Sequence, residues 1–351
     1  MGRMYLLGEP IFDPVMERKE FFAPAGQTDL CRKILAETQD RKTVIQKLRE
    51  EYIAIAYSLV AMGIEFRIIY AHEESIDKQA QAVCIKALNC RFIDFRQSLF
   101  SNSALVFPRD FCVALSGKII LINSKVATLK SNQKDGYALI SSPFGEGGRV
   151  LSAGEIMVVS ERMIIEDGQS RFVKKNDLKK IAVRGIKTLY FPTPLAKKIG
   201  TDTGRGCFFT NDHLDRIGSL LIDQRGKYHL VVDPLIWTAW WEDKISKVWF
   251  QEGPEKTMER LKRACGPLGI KVHQPKTLAI PYALNLIQFS DGRVLMTNGD
   301  EDVAELVGSL VGKNNLYITP IPIRYHPTWL YAGIRCLIGD APTPLMKPIL
   351  Q

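Results

Sequence analysis

The feature that most constrains this chain is a short unit that recurs along it: an amphipathic helix, a glycine, then a short apolar strand. Residues 43–62 carry apolar side chains at helical spacing (Val44, Ile45, Leu48, Tyr52, Ile55, Ala56, Leu59, Val60), stop at Gly63 and lead into an apolar run over 64–70. The same order returns at 178–183 with Gly185 and 186–191, at 256–265 with Gly269 and 270–272, and at 302–311 with Gly312 and 316–318. Between these units lie predicted hairpins: 111–122 turning at Ser116-Gly117, 150–159 at Ala153-Gly154, 219–232 at Gln224-Arg225-Gly226, and 286–296 at Ser290-Asp291-Gly292. Gly226 and Gly292 are 66 residues apart. A module of hairpin, helix and strand repeated on that scale predicts an α/β chain built by radial or stacked repetition rather than one open doubly wound sheet. No Pro/Ser-rich linker or low-complexity tract divides it, so residues 1–351 read as a single domain.

Composition removes several function classes. The net charge of +9 would permit nucleic-acid binding, but the lysines and arginines are scattered among acids, with only short clusters such as Lys174-Lys175 and Lys197-Lys198. There is no basic helix, aromatic-interleaved arginine stretch or zinc-finger spacing, so a solvated basic surface is expected and no nucleic-acid partner. Seven cysteines form no Cys-x-x-Cys pair, which argues against a disulfide framework or a structural zinc site and for a reducing, cytoplasmic setting. The first residues lack the apolar core of a signal peptide, and Leu6 stands where a myristoylation signal wants Ser or Thr. No run approaches the roughly 18 apolar residues of a membrane span, so no membrane partner is expected.

Four fragments carry one reactive or charged group each, in a fixed order: Arg109-Asp110, Glu146-Gly147-Gly148, His213-Leu214-Asp215 and Ile334-Arg335-Cys336. Carboxylates, an imidazole and a thiol together suit attack on a cationic planar carbon. A guanidinium carbon is a poor electrophile because resonance spreads its charge over three nitrogens. Carboxylates are needed to hold the cation and fix its plane, a thiolate to attack it, and a general acid to protonate the departing nitrogen. On an extended segment His213 and Asp215 would project to one face. Arg335 beside the thiol, and a cationic substrate, are settings that favour the thiolate. Cys84, Cys90, Cys112, Cys207 and Cys265 have no such setting and are expected in the core. His229 reads as a strand residue; His72, His273 and His326 have no carboxylate two residues away. Trp237, Trp240 and Trp241 are expected to pack against the sheet, and Glu301-Asp302 to supply the negative charge at a helix start.

The order and wording of these fragments resemble the guanidine-modifying (pentein) superfamily of arginine deiminases, agmatine deiminases, dimethylarginine hydrolases and amidinotransferases. Phe107-Pro108-Arg109-Asp110 resembles its Arg-Asp motif, Glu146-Gly147-Gly148 its Glu-Gly-Gly hairpin, His213-Leu214-Asp215 its His-x-Asp, and Ile334-Arg335-Cys336-Leu337 its terminal cysteine motif. Val159-Ser160-Glu161-Arg162 is similar to a Ser-Glu-Arg-Thr element of arginine deiminases. The motifs span residues 107–337. Carried over by position, the resemblance implies Cys336 as nucleophile, His213 as general acid and then base, and Glu146 orienting it. It implies Asp110 and Asp215 as the guanidinium clamp, and Arg162 as the partner of a substrate carboxylate. The implied fold is a five-bladed α/β propeller with a central site, without cofactor or metal, and a homodimer is a family-level expectation. The implied activity is hydrolysis of a small arginine-like guanidino compound through a covalent amidino-thioether. Amidino transfer and an inactive binding member are the alternatives. Three positions depart from the pattern: Arg149 stands where the family has Asp or Asn, Phe111 where Pro is frequent, and Tyr331-Ala332-Gly333 where the approach to the cysteine is richer in glycine. Glycine-type amidinotransferases carry a different motif in place of Glu-Gly-Gly, which favours hydrolysis over transfer.

Overall fold

A computed structural model of the chain describes residues 3–12, 14, 27–38, 40–70, 73–94, 107–110, 112–115, 119–123, 133–134, 137–142, 147–160, 162–164, 170–172, 186–192, 213–234, 253–330 and 332–342. The predicted helix–strand units are there, with one exception. The helix at 178–183 and its Gly185 lie outside the described residues, as do Trp237, Trp240 and Trp241.

The long helix spans Arg41–Ala61, and its start follows from Asp40, whose side chain accepts a hydrogen bond from the Thr43 amide. Its buried face is Val44, Leu48, Tyr52, Ile55, Ala56 and Leu59; of the other two residues in the stripe read from the sequence, Ile45 is half-buried and Val60 exposed. Tyr52, Ile55, Ala56 and Leu59 pack on a four-stranded sheet in the order Ile338–Pro342, Arg3–Leu7, Phe66–Tyr70, Phe92–Asp94, while Val44 and Leu48 pack against Ile34, Tyr325 and Trp329. The two ends of the chain meet in this sheet. Leu7 lies opposite Ile338 and Arg3 opposite Pro342, antiparallel, while Tyr5 runs parallel to Phe66.

Four further sheets repeat the same wiring: an antiparallel hairpin whose second strand takes a parallel third. Cys112–Leu115 and Ile119–Asn123 are joined by Tyr137–Ser142, with Gln133–Lys134 on the outer edge. Val150–Ala153 and Ile156–Ser160 are joined by Lys187–Phe191. Gly218–Ile222 and Tyr228–Val232 are joined by Ile270–His273, and Ile287–Gln288 and Val294–Met296 by Leu316–Ile318. A parallel neighbour needs a long crossover, and the helices Pro254–Cys265 and Glu301–Val311 supply it in the last two units. The hairpin turns end at Gly226 (φ +74°) and Gly292 (φ +90°), left-handed positions that a side chain would strain. Arg162–Ile164 and Ser170–Phe172 form a separate two-stranded ribbon.

Neighbouring units touch through their first strands: Cys112–Leu115 lies against both Ile338–Pro342 and Val150–Ala153, and Val150–Ala153 against Gly218–Ile222. Ser219 Oγ donates to the Leu284 carbonyl at 2.6 Å, and the Ser290 amide donates to Tyr5 Oη at 2.9 Å. The result is a mixed α/β fold of small sheets, and among the described residues no closed barrel. No helix of the described residues is long and apolar enough to cross a membrane.

Candidate active site

The fragments singled out in the sequence are brought together where the first strands begin and end. Pro108–Asp110, Gly147–Arg149 and Leu214–Arg216 are each a single turn of 3-10 helix leading into or toward a first strand. Two glycines let these turns touch. A Cβ on Gly147 would lie 1.8 Å from the Arg109 carbonyl oxygen, and one on Gly148 would lie 2.3 Å from His213 Nδ1 and 3.0 Å from Asp215 Oδ1. No side chain fits at either position, so the two glycines are dictated by close approach rather than by turn conformation. His213 is extended (φ −109°, ψ 95°) but Asp215 sits in the turn, so the pair does not project from one extended face as the spacing suggested. They meet nonetheless, His213 Nδ1 lying 3.9 Å from Asp215 Oδ1.

Cys336 lies in the one-turn helix Ile334–Leu337, immediately before the last strand. The N-terminal sheet thereby fixes the thiol, because the strand that follows Cys336 pairs with Arg3–Leu7. The thiol donates to Asp215 Oδ2 at 3.4 Å. Asp215 is fully buried, and its Oδ1 has no hydrogen-bond partner. An anionic carboxylate in that position carries a desolvation cost that a bound cation would offset.

Asn285 was not foreseen, yet it ties the site together. Its Nδ2 donates to the Asp215 carbonyl at 2.8 Å and to Cys336 Sγ at 3.3 Å. Its Oδ1 accepts from the Arg335 amide at 2.7 Å and the Cys336 amide at 3.4 Å. Gly333 permits this, since a Cβ there would lie 2.5 Å from Asn285 Oδ1. One buried side chain thus holds the carboxylate segment and the thiol segment in register. The only sequence signal was a polar residue inside the apolar run Ala283-Leu284-Asn285-Leu286-Ile287.

Asp110 closes its turn beside the site and Arg162 begins the two-stranded ribbon, but their side chains, and all of Glu146, lie outside the described residues. Among the other cysteines, Cys84 and Cys265 are buried, and burial pushes the Cys265 thiol up to about 12, which leaves it protonated and inert. Cys90 is half-buried, Cys112 starts a strand, and Cys207 lies outside the described residues. His229 is a strand residue, but it faces His273 at 3.0 Å and Asp223 at 3.3 Å. His326 bonds Glu51 at 2.8 Å from 275 residues away, a partner that local spacing could not reveal. Among the described residues no group of three or more His, Cys, Asp or Glu could hold a metal ion.

No protein-family model matches the sequence, and no curated protein matches it. Solved structures do. An agmatine deiminase of C. jejuni is 14% identical, with 96% of this chain and 92% of that chain covered and a TM-score of 0.49. A structural-genomics target described as an agmatine deiminase is 11% identical over 97% and 93%, with a TM-score of 0.53. An inosamine-phosphate amidinotransferase of Streptomyces griseus is 12% identical over 96% and 92%, with a TM-score of 0.45. The likeness to these structures is one of fold.

Proposed function

We propose that this chain is a cysteine-dependent hydrolase of a small guanidino compound, resembling arginine in its cationic head. One observation carries the reading: a buried carboxylate with an unmet oxygen, Asp215, holds the proton of a thiol, Cys336, with an imidazole, His213, within 4 Å on its other side. A guanidinium clamped by Asp215 and Asp110 would take the hydrogen bond that the thiol now donates and place its positive carbon beside Sγ. The cation then stabilises the thiolate that attacks it.

In the proposed reaction the thiol proton passes to His213, Sγ bonds to the guanidinium carbon, and one C–N bond breaks as His213 gives that proton to the departing nitrogen. An amidino-thioether on Cys336 and free ammonia result. Water, losing its proton to His213, attacks that carbon; the C–S bond breaks and the thiolate leaves a ureido product. Glu146 would orient His213, and Arg162 would meet a substrate carboxylate. The fold likeness supports this reading, as do the five sheets of common wiring, which we take to be the blades of a propeller within a single domain.

The test incubates the protein and Cys336→Ala with arginine, agmatine, methylated arginines and an arginine peptide, measuring ammonia and ureido product. A ureido product with equimolar ammonia from one compound, absent in the variant, is the expected result and names the substrate. Product that forms only when an amine acceptor is added would replace hydrolysis by amidino transfer. Silence under both conditions would overturn the catalytic reading.

A further inference from the structure

A cavity of about 290 Å³ is lined by one strand from each of the five sheets. Tyr5, Ala114, Ser152, Leu220 and Ile287 represent the five strands, and Arg109 and Arg335 complete the wall. Those arginines immediately precede Asp110 and Cys336, so the cavity and the candidate site share two backbone segments.

The polar groups of this wall are nearly all engaged. Ser152 Oγ donates to the Ala114 carbonyl at 3.2 Å, and the Gln288 amide exchanges two hydrogen bonds with the Ile222 backbone, both at 2.8 Å. The Asp223 carboxylate accepts the Arg225 and Lys227 amides at 2.8 Å each and faces His229. Arg109 is different. It is 5% exposed, its Nη2 donates to the Val150 carbonyl at 2.9 Å, and its Nε has no partner. A guanidinium is always charged, and burial without a carboxylate leaves that charge and at least one N–H uncompensated.

We infer that this cavity is a binding site for a small organic anion, a carboxylate or phosphate group on the Arg109 guanidinium with a short apolar part against Leu220, Ile287 and Phe289. The planar fork of arginine matches such groups. The inference stands whether or not the neighbouring site modifies guanidines.

Thermal unfolding of the full chain would be followed with acetate, hexanoate and inorganic phosphate, with chloride at matched ionic strength as reference. The same series would be run on Arg109→Met and on Ala114→Leu, which narrows the cavity and leaves both arginines in place. Hexanoate or phosphate should raise Tm on the order of 4 °C at about a hundredfold excess over Kd. Both variants should lose that rise; if Arg109→Met does not fold, Ala114→Leu decides. A response to hexanoate and not phosphate assigns a carboxylate with an apolar tail, and the reverse assigns a bare phosphate group. A rise equalled by chloride, a rise kept in Ala114→Leu, or no rise with any anion would overturn the inference.

Discussion

Asp215 and Arg109 are two buried charges of opposite sign, separated by little more than the turn at Gly147-Gly148. Asp215 is an anion with an unmet oxygen beside a thiol, and Arg109 a cation with an unmet N–H beside a cavity. Neither has the oppositely charged side chain that usually accompanies burial of an ion among the contacts described, apart from the histidine 3.9 Å from Asp215. The contrast teaches that each charge would be offset by a ligand of the opposite sign: a cation at Asp215, an anion at Arg109. Each is costly to the empty protein.

Asp215→Asn should break the acidic half of this comparison with the largest effect. It keeps size and removes charge, and loss of one partner of a buried ion pair costs about 3–5 kcal/mol, or roughly 10²–10⁴-fold in kcat/KM. The same change should raise the stability of the ligand-free protein by about 1 kcal/mol, because a desolvated charge disappears. Steady-state kinetics and denaturant unfolding read the two together. A variant both inactive and less stable would mean that Asp215 is a structural residue.

Asn285→Ala comes next and sharpens the role of the brace. Four polar atoms each lose one hydrogen bond, although the Arg335 amide keeps the Asn285 backbone carbonyl at 3.2 Å and the thiol keeps Asp215; a buried group left unmet costs on the order of 1–3 kcal/mol. We expect kcat to fall about 10–100-fold with KM little changed, since Asn285 positions Cys336 rather than the substrate. Asn285→Asp, which keeps the acceptor that holds the Arg335 amide, should recover stability and not kcat. Equal recovery of both would show that only the backbone link matters.

How much of this was legible beforehand depended on whether the information is local. The Arg41–Ala61 helix, the Gly226 and Gly292 hairpins and the Glu301–Val311 helix announce themselves through periodicity and turn residues within a few positions. That His213, Asp215 and Cys336 lie together was legible because chemistry restricts which residue types suit a guanidinium, and their order along the chain did the rest. Asn285 was not, because an asparagine among leucines says nothing about a thiol 51 residues away. The pairing of Arg3–Leu7 with Ile338–Pro342 escaped for the same reason, and the last strand is further disguised by its glycine and proline. Arg109 was read as a motif residue. Its lack of a carboxylate is a property of the packed interior, not of the sequence around it.

Arg49 supplies the control for Arg109, because it has what Arg109 lacks. Its Nε and Nη2 fork onto Asp77 at 2.8 and 2.7 Å, and Asp77 also caps the Lys78–Lys86 helix through the Ala80 amide. Burial pushes the Asp77 carboxyl up, but the Arg49 guanidinium and the cap amides outweigh it and hold it below the ordinary carboxylate value. A carboxyl lowered by folding contributes stability above its unfolded pKa and loses it as pH falls through the folded one. Asp77→Asn keeps the cap and removes the ion pair, so it should cost only about 0.5–1 kcal/mol at pH 7. The gap between variant and parent should close as pH falls from about 5 toward 2. The anions that stabilise the cavity should leave this gap unchanged, since Arg49 already has its counter-charge. If they narrowed it, anion binding would be a general response of partly buried arginines, and the distinction between Arg49 and Arg109 would fail.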